Sequence, residues 1–285
     1  ARKVDIVVVA MPPALHFQTV SRALELKYAV FCEKPCGLNL EQVIEMERLR
    51  EKHRGEACVG FQFRYDSGLI ALKNKILSGD IGSISNINIE WLTSGRSNKD
   101  IPFSFQNSSA SGGGVANSFA SHVIDYLGWL TGGTIANIAS HTEIYQAYRK
   151  GSDELIHKVT AEDSINFICR ISKILVSVTI GNCVHFGSGH HVTLFGEAGR
   201  VELKMKPPFN LSDKTLISVS DDGEIVHNLS QEKVEIDSRL EAVTRLWRAF
   251  FKRIRDGNAT NIPNFKDAVN VHKVLDKIHS SNLIR

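Results

Sequence analysis

Lys34 is the first residue of the chain whose type and position suggest chemistry. In the stretch VFCEKPCG it follows a short apolar run and Glu33, and Pro35 comes directly after it. A lysine where a buried strand ends can face a ligand crevice, where its ammonium group stabilises negative charge that develops on a substrate oxygen. A charged residue at a strand end can equally be a surface lysine paired with its neighbour. The triplet alone does not distinguish the two interpretations.

A second set of candidate residues lies on a helix predicted over residues 115–130. Ser118, His122 and Asp125 recur at spacings of four and three, which places them near one helix face. His122 is therefore a candidate for proton exchange near neutral pH, although a histidine on such a face is often a hydrogen-bonded core residue. A hydrolytic triad is disfavoured because one helix face provides no nucleophile elbow. The glycines at 112–114 could hold an anion, but they follow no strand and lack G-x-G-x-x-G spacing.

The first 61 residues alternate between strand and helix patterns. VDIVVVA, AVFC and ACVGF are predicted strands, with helices over residues 16–26 and 40–53 between them. This order predicts a parallel sheet with right-handed crossovers. The carboxyl ends of parallel strands share one edge, which is where ligands bind in open α/β sheets. Residues 10–13, 33–35 and 62–64 should converge there.

From residue 62 onwards the pattern changes to successive strands. After a helix, alternating segments follow without intervening helices, and GEAG at 196–199 predicts a hairpin. Two helices, over residues 239–255 and 266–280, close the chain. We therefore expect two domains: residues 1–61 with a parallel sheet, and residues 62–285 with an α+β architecture built on an antiparallel sheet.

Composition excludes several function classes. The 285 residues carry a net charge of +3 without runs of like charge, so neither nucleic acid nor a membrane surface is an expected partner. No apolar run is long enough for a membrane span or a signal peptide, and the five cysteines form no C-x-x-C pair, so we expect a cytoplasmic protein with reduced thiols. No metal site is predicted, because His190 and His191 would point to opposite faces of a strand and His185 has no ligand partners.

Four motifs in order resemble the glucose-fructose oxidoreductase, inositol dehydrogenase and rhizopine-catabolism (Gfo/Idh/MocA) family. They are DIVVVAMPPALHFQTVSRALELKYAVFCEKP, VGFQFRYDSGLIALKNKILSGDIGSI, GGGVANSFASHVIDYLGWLTGG and VTLFGEAGRVEL. The resemblance covers nearly the whole chain. It implies the C-terminal half of a Rossmann-type parallel sheet (α/β), followed by an α+β domain with a large open antiparallel sheet flanked by helices.

The resemblance also implies an activity. Members of the family are NAD- or NADP-dependent oxidoreductases that transfer a hydride between nicotinamide and a secondary alcohol or ketone of a sugar, cyclitol or nucleotide sugar. Their open sheet commonly forms a homodimer or homotetramer interface.

Site residues follow from the resemblance position by position. Lys34 matches the catalytic lysine of the E-K-P motif, and His122 matches the acid/base histidine or the group that holds the reacting hydroxyl. Ser118 is expected near the substrate. Apart from the resemblance, Arg96, Asn98 and Lys99 lie in the loop before the glycines and could bind substrate hydroxyls or phosphates, although a solvated loop would explain them almost as well. The expected cofactor-binding residues are Met11, Pro12, Pro13, His16, Glu33, Lys34, Gln62 and Arg64.

Two departures from the family pattern bear on function. Ser118 stands where the family has an aspartate, four residues before the histidine. The G-x-G-x-x-G segment and the residue that distinguishes NAD from NADP are not found, so we expect the chain to represent part of a longer protein. The alternative is a non-catalytic ligand-binding or regulatory relative. The substrate and the direction of reaction are not specified by these residues.

Overall fold

Three short parallel strands begin the fold. The structure is a computed structural model that describes residues 4–206, 213–229, 239–257 and 262–281. Its first elements alternate as predicted and form a sheet of order β1-β2-β3, with both strand pairs parallel. Their bounds are β1 (Ile6–Val9), α1 (His16–Glu25), β2 (Ala29–Cys32), α2 (Leu40–His53) and β3 (Ala57–Val59).

The next part of the chain builds a larger, eight-stranded sheet. It has the order β13-β12-β11-β10-β4-β9-β8-β5. Every neighbouring pair is antiparallel except β4 and β9, which are parallel, so the predicted sheet is confirmed as mostly antiparallel. The predicted GEAG hairpin joins β10 to β11. The strands are β4 (Ile84–Leu92), β5 (Ile135–Glu143), β8 (Ser164–Ile171), β9 (Ile174–Gly181), β10 (Gly189–Gly196), β11 (Arg200–Met205), β12 (Lys214–Ser220) and β13 (Gly223–Asn228).

Four strands of the structure were not predicted from alternating apolar and polar residues. β5 lies at one edge of the large sheet, and its register shifts between Ala136 and Ala139, where Asn137 has a positive φ of 53°. β13 lies at the opposite edge and is exposed along its whole length, so no apolar face marks it. β6 (Tyr148–Lys150) and β7 (Ile156–Lys158) form a separate hairpin of three residues each, too short to show a period.

The terminal helices return to the parallel sheet. These are α5 (Arg239–Asp256) and α6 (Phe265–Ser280), close to their predicted bounds. The ring of Phe31 in β2 stacks on Trp247 of α5 at 4.2 Å between centroids, and Val59 N–H donates to the carbonyl of Pro263 (2.9 Å). Residues after 239 thus complete the packing of a sheet built by residues 1–61. No helix among the described residues is long and apolar enough to cross a membrane.

A buried ion-pair cluster fastens three distant segments together. Arg64 follows β3 and donates through Nε and Nη2 to the two carboxylate oxygens of Asp125 (2.9 and 2.5 Å) on α4 (Ser121–Thr131). Its Nη2 also donates to Asp267 Oδ1 on α6 (2.9 Å). Burial raises the pKa of Asp125 to about 6, with the Arg64 charge acting against it. At pH 7 the cluster is therefore ionised and joins the turn after β3 to both helices.

Arg64→Met should destabilise the protein by about 3–5 kcal/mol, because it leaves two carboxylates facing each other without their cation. Urea unfolding measures this. The matched control is Arg22→Met, which breaks an exposed pair with Glu25 (side chains 68% and 47% exposed) and should cost no more than about 1 kcal/mol. Similar losses for the two variants would contradict a structural role for the Arg64 cluster.

Candidate active site

A cavity of about 270 Å³ lies at the carboxyl edge of the parallel sheet. It brings the two chemical candidates of the sequence, Lys34 and His122, into one space. Ser118 and Gln62, both predicted site residues, also line it. The remaining lining residues are Phe63, Asp66, Trp91, Gln106, Phe119 and Ala242.

Lys34 follows the last residue of β2 and reaches across the cavity. Its Nζ donates a 2.6 Å hydrogen bond to the carbonyl oxygen of Ser118. Burial lowers the pKa of Lys34 to about 8, and the charge of Glu33 acts in the opposite direction. An ammonium group with this pKa is mostly charged at pH 7 and is half deprotonated about one pH unit higher. Lys34 can therefore exchange a proton near neutral pH.

Glu33 lies against the backbone of Gly60. A Cβ on Gly60 would lie 2.8 Å from Glu33 Oε2, so the glycine leaves room for the carboxylate in this position. Glu33 Oε2 also accepts the backbone N–H of Lys34 (3.3 Å). Burial raises the pKa of Glu33 above its ordinary value. The acid is thus held in one place at the strand edge beside Lys34.

His122 is a buried, neutral histidine. Burial, followed by the charges of Lys34 and His190, holds its pKa well below the ordinary value. Its Nδ1 has no hydrogen-bond partner within the described part of the chain, and its ring packs against Phe63 at 4.8 Å between centroids. The expectation that His122 titrates near neutral pH is wrong, because the site desolvates it and places a cation nearby. Asp125 does not orient it either, since both carboxylate oxygens bind Arg64.

The helix that carries Ser118 and His122 begins with a π-helical turn. The predicted helix over residues 115–130 is a π-helical turn (Ala116–Ala120) that continues into α4. Ser118 lies in the π-turn, which frequently marks functional sites. Its Oγ donates to the carbonyl of Gly114 (2.7 Å). The glycine-rich stretch holds one of the chain's own carboxylates, because Glu162 Oε1 accepts the N–H of Ala116 (2.9 Å).

The predicted cofactor residues before α1 form a turn at the same sheet edge. His16 is buried, and its Nε2 lies 2.6 Å from the carbonyl oxygen of Met11. Burial alone would lower the pKa of His16, but the Cys32 thiol and the Met11 carbonyl outweigh it and raise the pKa. Met11 and Pro12 are exposed, whereas Pro13 is buried. His16 therefore fixes the turn from inside, and Met11 and Pro12 form its outer surface.

Arg64 and Arg96, which were also predicted site residues, lie away from the cavity. Arg64 belongs to the ion-pair cluster and does not line the space between Lys34 and His122. Arg96 is half-buried beside Arg149, whose Nη2 donates to the Arg96 carbonyl. Burial and the Arg149 charge lower the pKa of Arg96. The binding roles expected for Arg64 and Arg96 remain predictions.

Several lining residues carried no motif signal. Trp91 near the end of β4 belongs to an alternating strand, so its inward position could have been read from the pattern, and it stacks on buried His190 at 4.2 Å. Asp66 lies two residues after the predicted segment 62–64; its Oδ2 pairs with buried Lys214 (2.6 Å), and its Oδ1 caps α3 (Ser67–Leu77). Gln106 reaches the cavity from a loop that no periodicity marks.

The fold and the cavity define a class of protein. A parallel sheet with a buried lysine at its carboxyl edge, joined to a large and mostly antiparallel sheet, is typical of two-domain dehydrogenases. Residues 1–61 match a family model described as "Oxidoreductase family, NAD-binding Rossmann fold", and residues 69–202 match the "GFO/IDH/MocA C-terminal domain". The chain belongs to the Gfo/Idh/MocA oxidoreductase family.

Curated relatives are similar over part of their length. An uncharacterised oxidoreductase of Synechocystis is 28% identical over 204 residues, which is 70% of this chain and 55% of the relative. The rhizopine catabolism protein MocA of Rhizobium meliloti is 25% identical over 208 residues, 72% of this chain and 60% of the relative. Inositol 2-dehydrogenase of Salmonella agona is 36% identical over 84 residues, 28% of this chain and 24% of that enzyme. The chain thus spans a little over half the length of the first two.

Solved structures share the fold. A levoglucosan dehydrogenase in complex with NADH and L-sorbose superimposes with a TM-score of 0.85 at 20% identity, over 98% of this chain and 78% of that one. A super-repressor mutant of Gal80p from Saccharomyces cerevisiae gives a TM-score of 0.82 at 16% identity over the same shares. At such identities the likeness is one of architecture.

The pKa of Lys34 gives a direct test of the site. In the folded protein its amine should titrate with a midpoint near pH 8, and Glu33→Gln should lower that midpoint, because the carboxylate favours the charged ammonium. NMR titration of the lysine side chains measures both. Glu51→Gln, which removes an exposed carboxylate on α2, should leave the Lys34 midpoint unchanged. A midpoint close to the usual lysine value of about 10.4 would show that burial does not perturb the group.

Proposed function

We propose that the full protein is a nicotinamide-dependent oxidoreductase that interconverts a secondary alcohol and a ketone on a sugar-like substrate. The observation that carries the proposal is the pairing of two groups in one cavity: Lys34 with a pKa near 8, and the neutral, buried His122. This is the pair of functions that alcohol oxidation needs, since one group must take a proton and another must hold the hydroxyl. Family membership supplies the reaction class.

The sheet edge fits the cofactor. Met11 and Pro12 expose a surface at the carboxyl end of β1, and Glu33 lies against Gly60 at the ends of the neighbouring strands, where ligands bind in open α/β sheets. We assign NAD or NADP to this edge, with Pro13 and Gln62 beside it and His16 holding the turn. When bound, the nicotinamide accepts or donates the hydride. Glu33 is positioned to receive a ribose hydroxyl.

Lys34 is the group that moves the proton. In its neutral form the amine accepts the proton of the substrate hydroxyl, and in its charged form it stabilises negative charge on that oxygen. The Ser118 carbonyl keeps Nζ in place. His122 stays neutral and holds the hydroxyl by a hydrogen bond. In this arrangement the backbone of Ser118, rather than a carboxylate side chain, supports the lysine.

The cavity lining suits an uncharged polyhydroxylated substrate. Gln62 and Gln106 offer hydrogen-bonding groups to hydroxyls, and Trp91 and Phe119 provide apolar walls. Among the lining residues that the structure describes, Lys34 is the only lysine or arginine and Asp66 the only carboxylate, so no excess of cations favours a phosphate there. Relatives named inositol 2-dehydrogenase and levoglucosan dehydrogenase act on substrates of this kind, which supports a sugar or cyclitol.

We further propose a homo-oligomer that forms through the open face of the eight-stranded sheet. Ile168 and Leu175 project from neighbouring strands there and are 59% and 52% exposed, which favours coverage by a second copy. The five cysteines are free thiols, consistent with the reducing conditions of the cytoplasm.

A second candidate is a ligand-binding relative without turnover. Ser118 in place of the family aspartate favours it, as does the structural likeness to Gal80p. The two candidates differ in a measurable way, because the enzyme should reduce NAD or NADP with at least one member of a panel of sugars and cyclitols. Binding of NADH with no turnover on the whole panel would favour the second candidate.

Lys34→Met keeps the length of the stem and removes the amine. Turnover should fall by about 10²-fold or more, while NADH binding changes little, because the lost contribution acts on the reacting oxygen. In the oxidation direction, wild-type kcat/KM should rise with pH through about 8, and the variant should lose this limb. Lys75→Met, an exposed lysine of α3 paired with Asp80, is the control. Collapse of NADH binding with normal turnover at saturation would identify Lys34 as a cofactor anchor.

His122→Gln should lower turnover per folded molecule by about tenfold or more, since the hydroxyl loses its hydrogen-bond partner. His272→Gln is the matched control: His272 on α6 is also buried, its pKa is lowered to about 4, and its Nε2 has no partner among the described residues. Thermal unfolding reports the structural loss in both variants. Equal turnover in the two would make His122 a core histidine.

A further inference from the structure

A second and larger cavity lies beside α4. It has a volume of about 550 Å³ and is bounded by α4, α6 and the start of β5, with Lys73 of α3 at its side. It shares no lining residue with the cavity of Lys34 and His122. The Arg64 cluster forms part of its wall. A ligand in this space would therefore not meet the proposed reaction centre.

The charges around this cavity are unbalanced. Its lining contains four cations, Arg64, Lys73, Lys273 and Lys277, and two carboxylates, a surplus of two positive charges. The carboxylates are already engaged: both oxygens of Asp125 bind Arg64, and the two of Asp267 accept Arg64 Nη2 and the backbone N–H of Asn264 (2.9 Å each). Within the described part of the chain, none of the three lysines has a carboxylate partner.

Lys73 is held at the cavity rather than released to solvent. Its Nζ lies 4.3 Å from the centroid of the Trp129 ring and donates a hydrogen bond to the Trp129 carbonyl. Burial, followed by the charge of Arg64, lowers the pKa of Lys73. A partly desolvated ammonium without a counter-ion is a ready partner for an anion.

Gly128 opens the floor of the cavity. It lies in the interior of α4, where glycine weakens a helix relative to alanine. Packing does not require glycine there, because an added Cβ would meet only the Gly133 carbonyl oxygen at 3.7 Å, an ordinary contact. The absence of a side chain at Gly128 is therefore not required by helix packing, and it leaves free volume in the cavity.

We propose that this cavity binds a small phosphorylated metabolite. The phosphate lies among Lys73, Lys273 and Lys277, whose ammonium groups act as point charges for a dianion, and the organic part fills the space above Gly128. The volume suits a single small molecule. The cavity is open to solvent, with Lys273 and Lys277 exposed and Lys73 half-buried at its side. A polyanionic chain is disfavoured because these lysines surround one cavity and the sequence has no run of basic residues.

Isothermal titration of the full-length protein with glucose 6-phosphate, at fixed ionic strength, tests the proposal. We expect saturable 1:1 binding that persists in Lys34→Met and is not shown by glucose in its place. Lys273→Ala with Lys277→Ala should weaken binding by about tenfold or more, the scale of losing charge-assisted hydrogen bonds. The control pair, Lys252→Ala with Lys266→Ala, removes the same charge from exposed positions outside the cavity and should leave affinity within about twofold.

Gly128→Leu tests the volume without changing charge. Leucine favours the helix, so the melting temperature should not fall, and the side chain should abolish binding by filling the cavity. The absence of saturable binding to the wild-type protein would overturn the proposal, as would equal losses in the two lysine pairs. Loss of binding in Lys34→Met with none in the cavity variants would place the phosphate in the proposed active site and also overturn it.

Discussion

The constraint on which the site depends is the confinement of a charged lysine at the end of a buried strand. β2 is covered on both faces, so the chain can become polar only where the strand ends, and there Glu33 and Lys34 must share a space with little water. Desolvation pushes the pKa of the lysine down towards neutrality. The same burial that disfavours the charged form of Lys34 thus brings its pKa close to neutral pH. Its position is then fixed from outside the parallel sheet, by the backbone of Ser118.

The hydrogen bond between Lys34 and Ser118 requires that the π-turn keeps a fixed position relative to the parallel sheet. The π-turn that carries Ser118 continues into α4, and α4 is fastened to the turn after β3 through Asp125 and Arg64, and to α6 through Asp267. The terminal helices also pack on the face of the small sheet through Phe31 and Trp247. The position of Ser118, and with it the hydrogen bond to Lys34, is therefore supported by contacts of residues that do not line the candidate cavity.

The sequence predicted what periodicity and chain order determine. The parallel sheet, both terminal helices and the GEAG hairpin followed from strand alternation, helix spacing and turn residues, whereas the placement of Lys34 and His122 in one site followed from the family resemblance. The pairing of Asp125 with Arg64 could not be predicted from the sequence. Arg64 was equally plausible as a cofactor-binding residue, and its role in the ion-pair cluster depends on the position of α6, which carries Asp267. Gln106 lies on an aperiodic loop, and β5 and β13 are edge strands without an apolar face. The neutrality of His122 follows from its burial in the folded protein, which cannot be predicted from residue spacing along a helix.

The neutrality of His122 changes how the departure at Ser118 is to be understood. A carboxylate one turn before a histidine would raise its pKa and favour the imidazolium form. In this chain that position has only a hydroxyl, bonded to Gly114, and a carbonyl, bonded to Lys34. With a cation already in the cavity, a second positive charge on His122 would be repelled, so a single proton-exchanging group is the stable arrangement. Replacement of the aspartate by Ser118 is thus consistent with a site in which Lys34 alone changes charge near neutral pH and the histidine positions the hydroxyl.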